Sequence, residues 1–383
     1  MVVPADRAVP NLLLRQAREA RSLTQDEVAD GLSQLGASGA TGGLVSKWER
    51  GICRPSRFHR RLLCRFFDAS LEQLGLAGDT SRAHLPEEVI RTTLLDPARA
   101  SIKLSWLVWY GTADAAVLDR VVGLMGQLSD VVSHHQGSLR QPAMRLLACG
   151  HEMLGKVAFD RLDYGTAYGH FLKLQQLGEA LDDDDIRVLA AIHQGDLLRR
   201  RGEYELAVQR LDSAAAHAPQ ATAAVEGLRQ QTLARAHAEH GGNEAFCRAI
   251  EQAEAAARSL EPDAQGWGSE FSHLGVLHEK AHGHTLLWEA EQALDIYTDT
   301  EPAFRTASLR DVGNFTILKA QAHAYAGNID VGVQLAIEGL EFARRYDSPC
   351  HVSRVQRMYD RLGRTPIGSS ARMRDLAEAL QAA

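Results

Sequence analysis

Residues 155–171, Gly-Lys-Val-Ala-Phe-Asp-Arg-Leu-Asp-Tyr-Gly-Thr-Ala-Tyr-Gly-His-Phe, return in outline as residues 195–211, Gly-Asp-Leu-Leu-Arg-Arg-Arg-Gly-Glu-Tyr-Glu-Leu-Ala-Val-Gln-Arg-Leu. Gly155, Tyr164, Ala167 and Phe171 stand 40 positions before Gly195, Tyr204, Ala207 and Leu211. A small residue, a turn, then an alanine and a large apolar residue describe two helices packed closely enough that one must make room for the other. Pro219 closes the second copy, and weaker copies run over Arg229–Leu260, Phe271–Pro302 (Ala290, Leu294, Pro302) and Asn314–Tyr346 (Ala320, Gly327, Ala336). A repeat of this length cannot bury its apolar face alone, so residues 138–383 are expected to stack into a right-handed superhelix of helix hairpins.

The order of these residues resembles that of tetratricopeptide repeats, which implies a concave groove lined by the first helix of each pair. Counting from the markers, Glu152, Lys156, Asp160, Asp196, Arg199 and Arg200 face that groove from the first two pairs. Arg229, Asn314, Gln321 and Tyr325 face it from later ones. Charges of both signs beside amides suit a short peptide, with charged termini and a backbone that needs donors and acceptors. A merely solvated surface is the plain alternative.

Strand signals are almost absent, whereas caps followed by apolar residues at helical spacing recur from Asn11 onward, so the fold class is all-α. The 383 residues suit two or three compact units, and 45% hydrophobic with 24% charged residues is ordinary for a globular chain. Residues 11–76 read as a small five-helix domain. The first helix, Leu12–Arg21, puts Leu13, Ala17 and Ala20 on one face. The second opens on the capping box Thr24-Gln25-Asp26-Glu27 and turns Val28, Leu32 and Leu35 inward. A flexible stretch, Gly36-Ala37-Ser38-Gly39, precedes a third helix over Thr41–Arg50, ended by Gly51; a fourth spans Ser56–Phe67, and Ser70–Gln73 caps a fifth.

The net charge of −7 is unevenly spread: between Leu44 and Phe66 seven basic residues face one acid, Glu49. At 100° per residue Leu44, Val45 and Trp48 form the buried side of the third helix. Gly43, Ser46, Lys47 and Arg50 are left together on the other side, a strip able to enter a major groove. Arg54, Arg57, Arg60, Arg61 and Arg65 flank it and supply phosphate contacts, or form a solvated face in the plainer case.

Ser22-Leu23-Thr24-Gln25-Asp26-Glu27-Val28-Ala29, with Val45-Ser46-Lys47-Trp48-Glu49-Arg50-Gly51 and Arg54-Pro55-Ser56, resembles the Xre/Cro-repressor helix-turn-helix family over residues 11–76. Together with the repeats, the arrangement resembles helix-turn-helix regulators with C-terminal tetratricopeptide repeats, including peptide-pheromone receptors of Gram-positive bacteria. The resemblance implies a homodimeric transcription regulator of the quorum-sensing kind, acting on double-stranded DNA and answering to a signalling peptide or a protein partner. It also implies a backbone contact from Gln25 and an ion pair between Glu49 and Arg18. The chain departs from the family in two ways. About six extra residues separate Ala29 from Val45, and Gly42 and Gly43 stand where base-reading side chains are usual. Readout then falls to Thr41, Ser46, Lys47 and Arg50, with DNA shape contributing.

Residues 1–10 read as a disordered arm without a signal-peptide core, and 77–137 as a linker and connecting helices, with an apolar patch at Trp106–Tyr110 and a helix over Val117–Ser133. No apolar run approaches the ~18 residues that cross a bilayer, so a cytoplasmic location and no membrane partner are expected. Cys53, Cys64, Cys149, Cys247 and Cys350 are odd in number and far apart, which suits small buried hydrophobes better than disulfides or a zinc cage. His278-Glu279-Lys280-Ala281-His282 spells the H-E-x-x-H pattern of zinc metallopeptidases. It also falls in repeat register, with His278 at the small-residue position, and no strands are nearby, so no metal, cofactor or enzymatic activity is expected. The remaining rival is an interaction protein whose repeats bind a protein partner while the helix-turn-helix serves as an anchor on DNA.

Overall fold

The computed structural model describes residues 11–37, 39–71, 73–76, 87–111, 115–135, 137–260 and 266–382. The expected arm 1–10 and residues 77–86 of the expected linker lie outside them. The described residues are helical throughout, with no strand among them, and no helix is long and apolar enough to cross a membrane. The chain divides into two units, 1–86 and 87–383, so the helices expected as connectors belong with the repeats.

The smaller unit holds α1 (Leu12–Glu19), α2 (Gln25–Gln34), α3 (Gly42–Glu49) and α4 (Arg57–Phe67). Each begins where a side chain satisfies a free amide: Asn11, the reciprocal Thr24–Glu27 box, Thr41 and Ser56. Leu14, Val28, Leu32, Val45, Trp48, Leu63 and Leu74 form its core. The inward face of α1 carries Leu14, not Leu13, which is 46% exposed. Arg18, one turn beyond Leu14, is tied to Glu49, and that pair sets the rotation of so short a helix. Of the stretch after α2, Ser38 lies outside the described residues. Ala37 is buried and its amide donates to the Leu32 carbonyl (2.9 Å), while Gly36 and Gly39 take the positive φ values of +107° and +117° that only glycine adopts cheaply. Beyond α4, Ser70 and Gln73 exchange the hydrogen bonds expected of a cap, around a turn that includes residues 71 and 73–75.

The larger unit opens with α5 (Glu87–Ile90), which runs through a π turn, Arg91–Leu95, into α6 (Asp96–Gly111), followed by α7 (Ala115–His134). Helix pairs follow: α8 (Arg140–Asp160) with α9 (Tyr164–Leu181), α10 (Asp184–Arg200) with α11 (Tyr204–Ser213), and α12 (Ala223–His240) with α13 (Asn243–Arg258). Next come α14 (His273–Leu286) with α15 (Ala290–Phe304), α16 (Leu309–Tyr325) with α17 (Ile329–Arg345), and finally α18 (Pro349–Gly363) and α19 (Ala371–Gln381). A left-handed residue breaks the chain inside every pair: Leu162, Gly202, Gly241, Trp288 and Gly327. The first helices touch in file, α8 to α10, α12, α14, α16 and α18.

The repeat markers do the packing their spacing implied. A Cβ at Gly155 would lie 2.4 Å from the Phe171 ring, and one at Gly195 would lie 2.9 Å from Leu211. In the fourth pair the register differs by three from the expected one. Because α15 begins at Ala290, the position Ala167 holds in α9 falls on Ala293, and the small and large partners are Ala281 and Tyr297, all buried. His278 is therefore not the small-residue position, and Pro302 lies within α15 instead of closing the pair. No disulfide joins the cysteines among the described residues; Cys350 is buried and the other four are half-buried rather than fully enclosed.

The array closes on itself. Asp160, at the end of α8, accepts hydrogen bonds from Arg310 Nη1 (2.9 Å) and Ser348 Oγ (2.5 Å), 150 and 188 residues away. Arg310 also donates to the carbonyls of Trp109 (3.1 Å) and Tyr346 (3.2 Å), and its guanidinium lies 4.1 Å and 4.7 Å from those two rings. Helices α6 and α8 thereby meet α16 and α18 around a central cavity.

Candidate nucleic-acid interface and ligand cavity

On α3, Thr41, Gly43, Lys47 and Arg50 are exposed and Ser46 is half-exposed. Thr41 also caps the helix, its hydroxyl accepting from the Leu44 amide at 3.2 Å. The opposite side is pinned. Glu49, 4% exposed, accepts from Arg18 Nε (2.6 Å), Arg18 Nη2 (3.0 Å) and Gln25 Nε2 (2.7 Å). This fixes the exposed strip relative to α1 and α2, and it engages one of the two Gln25 amide hydrogens, leaving one to offer. Helix α4 is joined to α3 by the Trp48 and His59 rings, 5.2 Å apart. Arg54, Arg61 and Arg65 are exposed, whereas Arg60 is half-buried and gives its Nε to the Pro55 carbonyl at 3.1 Å. Arg57 is the first residue of α4.

The two glycines that open α3 do different work. A Cβ at Gly42 would lie 2.0 Å from Asp26 Oδ1 and 3.1 Å from its backbone nitrogen. The Asp26 carboxylate thus sits against the first turn of α3, where free amides favour negative charge. Gly42 is a packing residue and not a vacated base-reading position, which corrects its expected place on the exposed side. A Cβ at Gly43 would meet only the Thr41 hydroxyl, at 3.9 Å. Gly43→Ala is accordingly expected to stabilise the small unit by up to about 1 kcal/mol through helix propensity. Gly42→Ala is expected to gain none of this, because it displaces Asp26. Urea denaturation of the two variants side by side measures the difference.

The larger unit holds a half-open cavity of about 250 Å³. Of the residues expected to face a groove, Lys156, Asp160, Asp196, Arg200 and Asn314 line it. The others do not. Arg199 (4% exposed) is turned toward the next first helix, bonded to Asp196 (3.0 Å) on α10 and to Glu239 (2.6 Å) on α12. Arg229 (4% exposed) is held by Glu226 and the Leu211 carbonyl, and Glu152 is buried with an oxygen 3.4 Å from His193 Nε2. Gln321 is half-buried away from the lining, and Tyr325 stacks on Trp288 with Arg361 across both rings. A first helix flanked by its own partner and by neighbouring first helices leaves only a narrow strip for the cavity. One residue of shift, 100° around the helix, separates Arg200 inside from Arg199 outside.

Most of the charge on the lining is paired. Lys156 Nζ lies 2.9 Å from Glu270 and 5.0 Å from the Trp106 ring; burial opposes its charge, but Glu270 and its neighbours hold its pKa above the usual lysine value. Arg235 binds Glu279 (2.6 Å) and approaches Asp196 (3.7 Å). Burial opposes the charge on Asp196, yet Arg199 and Arg235 keep its pKa below the usual carboxylate range. Glu270, Arg235, Arg310 and Arg354 were not anticipated. The last sits on α18, which carries no repeat marker and reaches the cavity only because the array closes.

The H-E-x-x-H residues are engaged otherwise. Both oxygens of Glu279 (5% exposed) contact Arg235, and although burial opposes its charge, Arg235 holds its pKa far below the usual range, so it is not poised to take a proton from water. His278 sits among Tyr297, Phe304 and Phe315, and burial pushes its pKa down to about 4.

No protein-family profile matches the chain, and no curated protein does. Among solved structures it is similar to PlcR of Bacillus thuringiensis, crystallised in complex with the peptide PapR7 and DNA. The identity is 13% and the TM-score 0.35, over 97% of this chain and 99% of that one. A likeness at that level lends no weight to a particular site, and the residues above stand on their own geometry.

Proposed function

We propose that the chain is a sequence-specific DNA-binding transcription regulator, acting as a homodimer, whose repeat unit binds a small ligand or short peptide. The observation that carries it is the face of α3: Thr41, Ser46, Lys47 and Arg50 outward on a helix pinned from behind by Arg18, Glu49 and Gln25, with the arginines of α4 and its preceding turn beside it. A strip of this kind places a few donors at base edges while flanking guanidiniums fix the register on phosphates. One such unit touches too little DNA for tight specific binding, and two related by a two-fold axis would read half-sites about one helical turn apart. The cavity supplies the ligand site. A ligand acts on the DNA equilibrium only by preferring one arrangement of the chain.

Selection of duplexes from a random-sequence pool by the full chain tests this. Enrichment of an inverted repeat is the expected result; a pool that stays random through successive rounds would overturn it.

A further inference from the structure

We infer that the cavity of the repeat unit takes a ligand bearing a carboxylate, gripped between Arg200 and Arg354. This rests on the proposal that the repeat unit is a ligand-binding body, and it names the chemistry of what binds. The cations of the lining fall into two sets. Lys156, Arg235 and Arg310 each lie within ion-pair distance of a carboxylate: Glu270, Glu279 and Asp160. Arg200 and Arg354 make no ion pair among the described residues. Their hydrogen bonds go to neutral acceptors, Arg200 Nη2 to Cys350 Sγ (3.2 Å) and Arg354 Nη1 to Asn314 Oδ1 (2.7 Å). The Nε of Arg200 is buried without any partner.

Both guanidiniums line one cavity without an ion-pair partner among the described residues, and the buried Nε of Arg200 has lost hydration that nothing in the fold restores. Burial and the nearby Arg354 push the Arg200 pKa down to about 9, and burial lowers that of Arg354. Asp196, one turn before Arg200 on the same helix, already answers Arg199 and Arg235. A carboxylate would supply the absent counter-charge, with the planar geometry that a guanidinium fork accepts in pairs of hydrogen bonds. Apolar groups stand beside this pair among the paired charges of the wall: the Phe159 ring lies 5.6 Å from the Arg200 guanidinium, and Ile192 and Leu228 also line the cavity. The occupant is thus a small body with one anionic end and some apolar surface. A volume of about 250 Å³ is at the small end for ligand sites. It suits a small organic acid or the C-terminal residue of a peptide, not the length of an extended peptide. Arg200 ends α10 and Arg354 lies on α18, so a bound carboxylate would bridge the same closure that Asp160, Arg310 and Ser348 make.

Thermal unfolding of the full chain with defined probes tests this. The probes are hexanoate against hexanamide, inorganic phosphate, and Ala-Ala-Phe with a free or an amidated C-terminus. Expected is a rise of several degrees in the melting midpoint with carboxylates and none with their amides, abolished in Arg200→Gln/Arg354→Gln. Hexanoate and the free peptide distinguish a small acid from a peptide terminus as the source. Arg200→Met alone, without ligand, is expected to melt no lower than the native chain, since it removes an unpaired charge. A marked loss of stability would mean that Arg200 is structural and would count against the site. Equal shifts by acid and amide, shifts retained in the double variant, or no shift with any anionic probe would each overturn the inference. The first two would still leave the repeat unit a ligand-binding body, and none bears on DNA binding.

Discussion

Replacing Arg54, Arg61 and Arg65 together by alanine is expected to weaken binding of the full chain to any duplex by about a hundredfold at about 0.15 M salt, the electrostatic share of about three phosphate contacts. All three residues are exposed, and none belongs to the core of the small unit, so the loss is not one of folding. Counter-ion release makes the claim sharper than an affinity alone. The slope of log K against log salt should become shallower by roughly 2.7, about 0.9 for each contact removed. Fluorescence anisotropy of a labelled duplex at several salt concentrations reads both quantities. A variant with native affinity and native slope would place the DNA surface elsewhere.

Arg310→Ala is expected to destabilise the repeat unit by about 3–5 kcal/mol, the usual consequence of removing one partner of a buried ion pair. Arg310 is 6% exposed and holds four groups at once: the Asp160 carboxylate, the Trp109 and Tyr346 carbonyls, and the space between two rings. Without it Asp160 keeps a single described donor, Ser348, and α6 loses a tie to α16. Urea denaturation gives the size of the effect, and a double-mutant cycle with Asp160→Ala separates the coupling between the two residues from their other contacts. A loss below about 1 kcal/mol, in the range of surface pairs, would mean that the array is not held closed at this point.

These two expectations come from opposite ends of what the sequence discloses. The face of α3 was legible because capping, burial and charge all repeat within a few residues, and Val45, Lys47 and Trp48 occupy the places that 100° per residue assigns them. The hairpin packing of Gly155 on Phe171 and Gly195 on Leu211 was legible for the same reason, since partners a fixed distance apart leave a period. What was hidden depends on contacts between distant residues. The rotation of α1 follows from Arg18 reaching Glu49, 31 positions on, and not from the apolar pattern of a helix of eight residues. The cavity draws Arg200 and Arg354 from helices far apart in the chain and discards Arg199 and Arg229, which are just as charged but satisfied by Glu239 and the Leu211 carbonyl of the adjoining pairs. The fourth pair was misplaced by three residues because a proline was read as a terminator, whereas Pro302 sits in the closing turns of α15.

Hydrogen exchange of the full chain, with and without a duplex recovered from the random pool, tests the central claim most directly. Binding through α3 and α4 slows exchange at the amides of residues 41–50 and 57–65 and leaves the helix pairs from 140 to 345 unchanged or altered only remotely and weakly. Protection confined to the repeat unit, with α3 and α4 exchanging as in the free chain, would contradict it.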